Sequence, residues 1–106
     1  MNNDKFLSML GLCKKAGRLV IGVPMVAKEI SEGKIKVVFV AGDASQNAVK
    51  KTTDKCTFYN VECIKTDISA ATLSHAVGKS GPVCALGVTD GNFSKELTTL
   101  ISYEKR

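Results

Sequence analysis

The chain has 106 residues, of which 44% are hydrophobic, 24% are charged and two are proline. This length predicts one domain over residues 1–106, and the composition excludes disordered and collagen-like proteins. The formal net charge is +5, and the stretch 14–36 holds six basic residues against two acidic ones. Such a local excess points to a polyanionic partner, with a solvated basic face as the alternative.

Neither a membrane span nor a secretion signal is visible in the sequence. No apolar run approaches the ~20 residues that cross a bilayer. The opening segment Met1-Asn2-Asn3-Asp4 has neither the basic nor the apolar region of a signal peptide. We therefore expect a cytoplasmic protein that makes no use of a membrane.

The first element is a predicted helix. Apolar residues recur at helical spacing after Asn3 and Asp4, either of which can cap the helix. Gly17 suits the position just after its end. Residues 18–21 then predict a very short strand.

A second helix and a buried strand follow. Gly22 opens the helix, Pro24 is expected at its first position, where proline is well tolerated, and Gly33 ends it. Residues 36–41 form a continuous apolar run of strand length. Such a run is typical of a central strand that is buried on both faces.

The middle of the chain repeats the alternation of helix and strand. Ser45 can cap a third helix that reaches about Cys56, and residues 61–65 alternate like a strand. Ser69 or Asp67 can cap a fourth helix. Predicted helices and strands therefore continue to alternate along the chain.

A last strand and helix complete the pattern. Residues 83–88 predict another apolar strand, and the final helix carries an apolar face that comprises Phe93, Leu97, Leu100 and Ile101. Strict alternation predicts a parallel or mixed sheet with helices on both of its faces.

Recognisable catalytic motifs are missing from the sequence. There is no glycine-rich dinucleotide fingerprint, no Walker A loop and no nucleophile elbow. The four cysteines lack C-x-x-C spacing, so we expect reduced thiols, no metal site and no cofactor. A phosphotransfer enzyme with a nucleophilic cysteine is disfavoured, because no cysteine follows the first strand in an exposed loop. We expect a protein that is not an enzyme.

The basic stretch contains a plausible platform for phosphates. The start of the second helix offers unpaired backbone N–H groups, and a glycine there lets a nucleotide approach closely. Phosphate contacts are expected from cations on both sides of this helix start. The candidate residues are Lys15, Arg18, Gly22, Val23, Pro24, Met25, Lys28 and Lys34.

From about Phe6 to Ile101 the sequence resembles the kink-turn RNA-binding superfamily of ribosomal proteins of the L-seven-Ae type, and within it the bacterial YlxQ-like branch. The resemblance rests on the order and spacing of several landmarks. These are Leu10-Gly11-Leu12-Cys13-Lys14-Lys15-Ala16-Gly17, Gly22 through Lys28-Glu29-Ile30, Val40-Ala41-Gly42-Asp43-Ala44-Ser45, Lys50-Lys51-Thr52-Thr53-Asp54-Lys55-Cys56, Leu73 to Gly78 and Ala85-Leu86-Gly87-Val88-Thr89-Asp90. It implies a three-layer α/β/α sandwich with a four-stranded mixed sheet.

The resemblance also implies an RNA site at the start of the second helix. The family reads sheared G·A pairs through Gly-x-Asn-Glu-x-x-Lys, of which Gly22 and Lys28 match the Gly and the Lys. Pro24 and Met25 stand where the family has Asn and Glu. In the family, an apolar loop packs against a flipped-out nucleotide. The resemblance assigns this loop to the segment containing Ile68.

The sequence therefore favours a monomeric, non-catalytic, ribosome-associated protein that binds structured RNA, ribosomal or kink-turn-like. A different class remains open. Pro24 and Met25 make an apolar patch where the family has polar readers, which suits a protein-interaction domain that has lost specific RNA readout.

Overall fold

A computed structural model of the chain describes residues 3–104, and their side chains as far as Ile101. Helices and strands alternate along this part of the chain as the sequence predicts. They are α1 (Asp4–Lys15), β1 (Leu19–Ile21), α2 (Val23–Ser31), β2 (Val37–Val40), α3 (Gln46–Phe58), β3 (Glu62–Lys65), α4 (Ala70–Ala76), β4 (Ala85–Val88) and α5 (Gly91–Glu104).

The four strands form one mixed sheet in the order β1-β4-β2-β3. β4 runs antiparallel to both β1 and β2, whereas β2 and β3 are parallel. All four residues of β2 are buried, because helices cover both faces of the sheet there. The predicted central strand is confirmed, although it ends at Val40 and the buried Ala41 lies beyond it.

Two hydrophobic clusters divide the helices between the faces of the sheet. On one face α1, α4 and α5 pack against Phe39, whose ring meets that of Phe6 edge-on at a centroid distance of 5.1 Å. On the other face α2 and α3 pack against Val38 and Val40. The predicted three-layer α/β/α sandwich with a four-stranded mixed sheet is confirmed.

Serine caps set the starts of two helices as the sequence predicts. The Ser45 hydroxyl accepts a hydrogen bond from the Ala48 N–H at 3.2 Å, and the Ser69 hydroxyl accepts one from the Thr72 N–H at 3.1 Å. One positional prediction is wrong. Helix α2 begins at Val23, so Pro24 occupies its second position, where the missing N–H still breaks no intrahelical hydrogen bond.

The strand directions give the sheet two distinct edges. β1, β2 and β3 end, and β4 begins, at what we call the Gly22 edge, where the Gly22 N–H donates to the Ala85 carbonyl at 2.9 Å. The same three strands begin at the Arg18 edge, where the Arg18 carbonyl accepts from the Thr89 N–H at 3.0 Å. β1 has three residues, so the two edges lie about 10 Å apart along this strand.

Gly42 joins the turn after β2 to the turn after β3. Its N–H donates to the Ile68 carbonyl at 2.8 Å, and a Cβ at this position would lie 2.7 Å from the Thr66 carbonyl oxygen. The obstruction is backbone, which cannot rotate away. Only glycine therefore fits at this crossing.

Gly42→Ala is expected to lower the free energy of unfolding by about 1–3 kcal/mol, because the two turns must separate. Gly91→Ala is a matched control, since nothing lies within 4 Å of the added Cβ and the residue begins helix α5. Urea unfolding measured by circular dichroism compares the two variants. Equal stabilities would contradict the close approach at Gly42.

Candidate nucleic-acid interface

Helix α2 starts at the Gly22 edge without a capping side chain. Gly22 occupies the position before the helix with φ +97°, which favours glycine, and it accepts the Val26 N–H through its carbonyl at 2.9 Å. No side chain caps the N–H groups of Val23 and Met25. This helix start therefore presents backbone donors and a partial positive charge, both of which suit a phosphate.

A groove of about 610 Å³ lies between the start of α2 and the first turns of α3. Val23, Pro24 and Ala48 supply its apolar lining. Its polar lining comes from α3, through Asn47, Lys50, Lys51 and Asp54. The groove thus combines an apolar floor with two lysines beside an open helix start.

Two lysines of α3 lie beside this helix start, and a third lies further along α2. Lys28 is exposed and lies four residues after Pro24, so both project from one face of α2. Lys51 lines the groove from α3, as does Lys50, whose ammonium lies 3.0 Å from the Asp54 carboxylate. That ion pair is exposed and leaves two of the Lys50 donors for other partners.

The contribution of α3 to this groove is not among the predictions from the sequence. Asn47, Lys50 and Lys51 follow a buried strand in the chain, and the Lys50-Lys51 pair is visible in the sequence. Their approach to Pro24 depends on the packing of α2 against α3, because both helices cover the same face of the sheet.

The structure separates the other predicted cations from the start of α2. Arg18 and Lys34 line a groove of about 540 Å³ at the Arg18 edge. Lys34 also lies 3.3 Å from the Glu32 carboxylate. Lys15 lines a third groove, between α1 and α4, with Lys14 and His75.

Ile68 is placed in the core. Its side chain is 4% exposed and belongs to the cluster beneath α1 and α4. The buried Thr66 hydroxyl fixes the segment by donating to the Val40 carbonyl at 2.9 Å and accepting the Ile68 N–H at 3.2 Å. A side chain held in this way does not reach a nucleotide, so we leave Ile68 out of the proposed interface.

Asp43 has a structural role at the start of α4. Its carboxylate accepts the N–H of Ala70, the first residue of α4, at 2.8 Å. Within residues 3–104, no three His, Cys, Asp or Glu side chains gather as a metal site would require. No helix of the same segment is long and apolar enough to cross a bilayer.

The thiols differ in their acidity because their surroundings differ. A hydrogen bond from the Cys56 thiol, assisted by one from Thr53, lowers the pKa of Cys63 to about 7 against the effect of burial. The same contact and burial raise the pKa of Cys56. Burial, followed by the charge of Asp90, raises the pKa of Cys13 to about 11.

Cys63 is expected to react with iodoacetamide at pH 7 at least on the order of tenfold faster than Cys13, because the thiolate is the nucleophile and because Cys13 is fully buried whereas Cys63 is half-buried. Its rate should rise through about pH 7 and level off above it, since the lowered pKa leaves the thiol deprotonated there. Peptide mass spectrometry measures both rates, with Cys63→Ser as the control. Faster labelling of Cys13 would contradict the assignment.

The fold defines a class of small α/β/α sandwich built on a four-stranded mixed sheet. Residues 4–98 match the ribosomal protein L7Ae/L30e/S12e/Gadd45 family, and the chain belongs to that family.

Curated relatives cover nearly the whole chain. A protein from Enterococcus faecium named RNA-binding protein YlxQ is 37% identical over 100 residues, which are 94% of each chain. A protein of the same name from Bacillus subtilis (strain 168) is 38% identical over 101 residues, covering 95% of this chain and 99% of that one.

Two solved structures resemble the fold. A protein of unknown function from Bacillus halodurans has a TM-score of 0.84 and 34% identity, covering 92% of this chain and 97% of its own. The Giardia lamblia 15.5kD RNA binding protein has a TM-score of 0.73 at 16% identity, covering 92% and 82% respectively. The second likeness concerns the fold alone.

Proposed function

We propose that this chain is a non-catalytic RNA-binding protein that holds structured RNA at the Gly22 edge. The observation that carries the proposal is the uncapped start of α2 beside Lys28, Lys50 and Lys51. Backbone donors and ammonium groups there converge on one surface, as phosphate recognition requires. The YlxQ relatives, which are named RNA-binding proteins, support the same reading.

The RNA we propose is structured and of kink-turn type, with the ribosome or its precursors as the source. Gly22 and Lys28 stand at two positions of the family's RNA-reading pattern, and Gly22 has the open backbone that the pattern needs. Pro24 offers no side-chain hydrogen bond and Met25 only a weak acceptor, so shape and phosphate positions carry most of the recognition. We place this monomeric protein in the cytoplasm, whose reducing conditions suit its free cysteines.

A titration with RNA at increasing salt tests the proposal. The native chain should bind a hairpin that contains tandem G·A pairs, and log K should fall with log salt with a slope of roughly −2 to −3 for three phosphate contacts. Filter binding or electrophoretic mobility measures the slope, and a plain duplex of equal length serves as the comparison. No binding at low salt would overturn the proposal.

Exposed apolar side chains favour a second candidate, a protein-interaction domain. Met25 is 46% exposed and follows the exposed Pro24, which lines the groove, so the start of α2 carries an apolar rim beside the groove. A protein partner would bind this rim with little dependence on salt, because apolar contacts release no counterions. The salt titration therefore separates the two candidates.

A further inference from the structure

Two aromatic rings are exposed at the end of α3. Phe58 is 79% exposed, which makes it the most exposed of the large hydrophobic side chains in the described part of the chain. Tyr59 follows it at 40% exposure, with ring centroids 4.9 Å apart and planes at 74°. The Lys55 ammonium lies 5.8 Å from the Tyr59 ring centre. Phe58 therefore presents most of its ring to solvent, next to a cation.

These rings lie at the Arg18 edge, opposite the start of α2. β2 and β3 are parallel and pair Val37 with Glu62, so the turns that lead into the two strands lie side by side. One turn carries Lys36, whose N–H donates to the Val88 carbonyl at 2.7 Å, and the other follows Phe58. The aromatic pair and Lys36 thus belong to one surface.

The charge on this surface is mixed and weakly positive. Arg18 and Lys36 line the groove of about 540 Å³, together with Lys34 and Glu29. Lys34 forms an ion pair with Glu32. Glu62, the first residue of β3, is exposed and adds a negative charge. Within the described residues neither Arg18 nor Lys36 forms an ion pair with an acidic side chain, so they are the cations best placed to contact a phosphate.

We propose that the Arg18 edge is a second RNA-binding surface, on which Phe58 stacks against an unpaired base, Lys36 contacts a phosphate nearby, and Arg18, at the far side of the sheet, contacts a phosphate further along the same strand. Base–aromatic stacking accepts any base, and cations beside the ring follow the backbone of a single strand. The occupant is therefore single-stranded RNA. The proposal rests on the proposed function only in taking RNA as the partner, because its residues are separate from the Gly22 edge.

The separation of the two edges gives the proposal a geometric consequence. Helix α2 spans nine residues, about 13 Å, from one edge to the other. One chain can then hold a folded RNA element at the Gly22 edge and an adjacent single strand at the Arg18 edge. Binding at the second surface should depend weakly on salt, with a slope of about −1.4 for two single-strand contacts.

A single tryptophan reports directly on the stacking. The chain contains no tryptophan, so Phe58→Trp introduces one fluorophore at an exposed site that tolerates a larger ring. A 12-nucleotide oligouridine should quench its fluorescence in a saturable way. The matched control is Thr99→Trp, at an exposed site in the second half of α5, a helix on the opposite face of the sheet, and its fluorescence should not change.

Alanine variants measure the contribution of the ring and the cations. In competition against the Phe58→Trp reporter, Phe58→Ala should bind oligouridine about 5- to 150-fold more weakly than the native chain. In the double variant Arg18→Ala with Lys36→Ala, the binding of oligouridine should no longer depend on salt. Both this variant and Phe58→Ala should still bind the G·A hairpin. Circular dichroism confirms that the variants fold.

The outcomes separate this proposal from the proposed function. Saturable quenching at position 58 that survives alanine at Lys28, Lys50 and Lys51 supports a second surface. If the Phe58→Trp variant binds the hairpin but its fluorescence is not quenched by oligouridine, the second surface is overturned and the proposed function stands. If neither RNA binds, both the second surface and the proposed function are overturned.

Discussion

Alanine at Lys28, Lys50 and Lys51 should weaken binding to structured RNA about 100- to 500-fold at 0.1 M salt. Each lysine that neutralises a phosphate releases about 0.7 to 0.9 counterions, so the loss of three removes roughly 2 to 3 units from the salt slope. Lys50 keeps this role despite its ion pair with Asp54, because that pair is exposed and weak. Filter binding across a salt series measures both quantities.

The matched control removes equal charge from another surface. Alanine at Lys5, Lys14 and Lys95 takes three exposed cations from α1 and α5. Both triple variants therefore fall from +5 to +2 in formal net charge. If the two variants lose equal affinity, net charge alone attracts the RNA and the Gly22 edge is not the site.

Restoring polar readers should change RNA preference rather than overall affinity. The double variant Pro24→Asn with Met25→Glu places hydrogen-bonding side chains at the open start of α2. Paired base contacts discriminate by about 1–3 kcal/mol, so preference for tandem G·A pairs over a plain duplex should rise about 5- to 150-fold.

Pro24→Ala with Met25→Ala is the control for this change. It removes the same two side chains without adding readers, so its preference should equal that of the native chain. Competition between labelled hairpin and unlabelled duplex gives the ratio, and thermal unfolding checks the start of α2. A native chain that already prefers the G·A hairpin by such a factor would show that the backbone at Gly22 reads these pairs unaided.

The layers of the fold could be predicted from the sequence, because the apolar patterns and capping residues that define them are local. The apolar run of β2 needs burial on two faces, and Ser45 and Ser69 accept hydrogen bonds from the helices that follow them. The ends of the helices and strands were predicted less accurately. Strand β4 begins at Ala85 rather than at residue 83, since strand pairing with β2 starts there.

The site was less predictable because it depends on strand direction and helix packing. Arg18 and Gly22 are close in the chain, yet three residues of β1 place them at opposite edges of the sheet. Lys51 is far from Pro24 in the chain, and α3 brings it to the same groove. Burial of Ile68 follows from the hydrogen bonds that Thr66 makes across the sheet end, which no local pattern reveals.

Mapping the backbone amides that respond to RNA tests the location of the site most directly. In a nuclear magnetic resonance titration with the G·A hairpin, the largest shifts should fall on Gly22, Val23 and Met25 and on the first turns of α3. The amides of α1 and α5 should remain unchanged, because these helices cover the opposite face of the sheet. Shifts confined to α1 and α5 would contradict the assignment of RNA binding to the Gly22 edge.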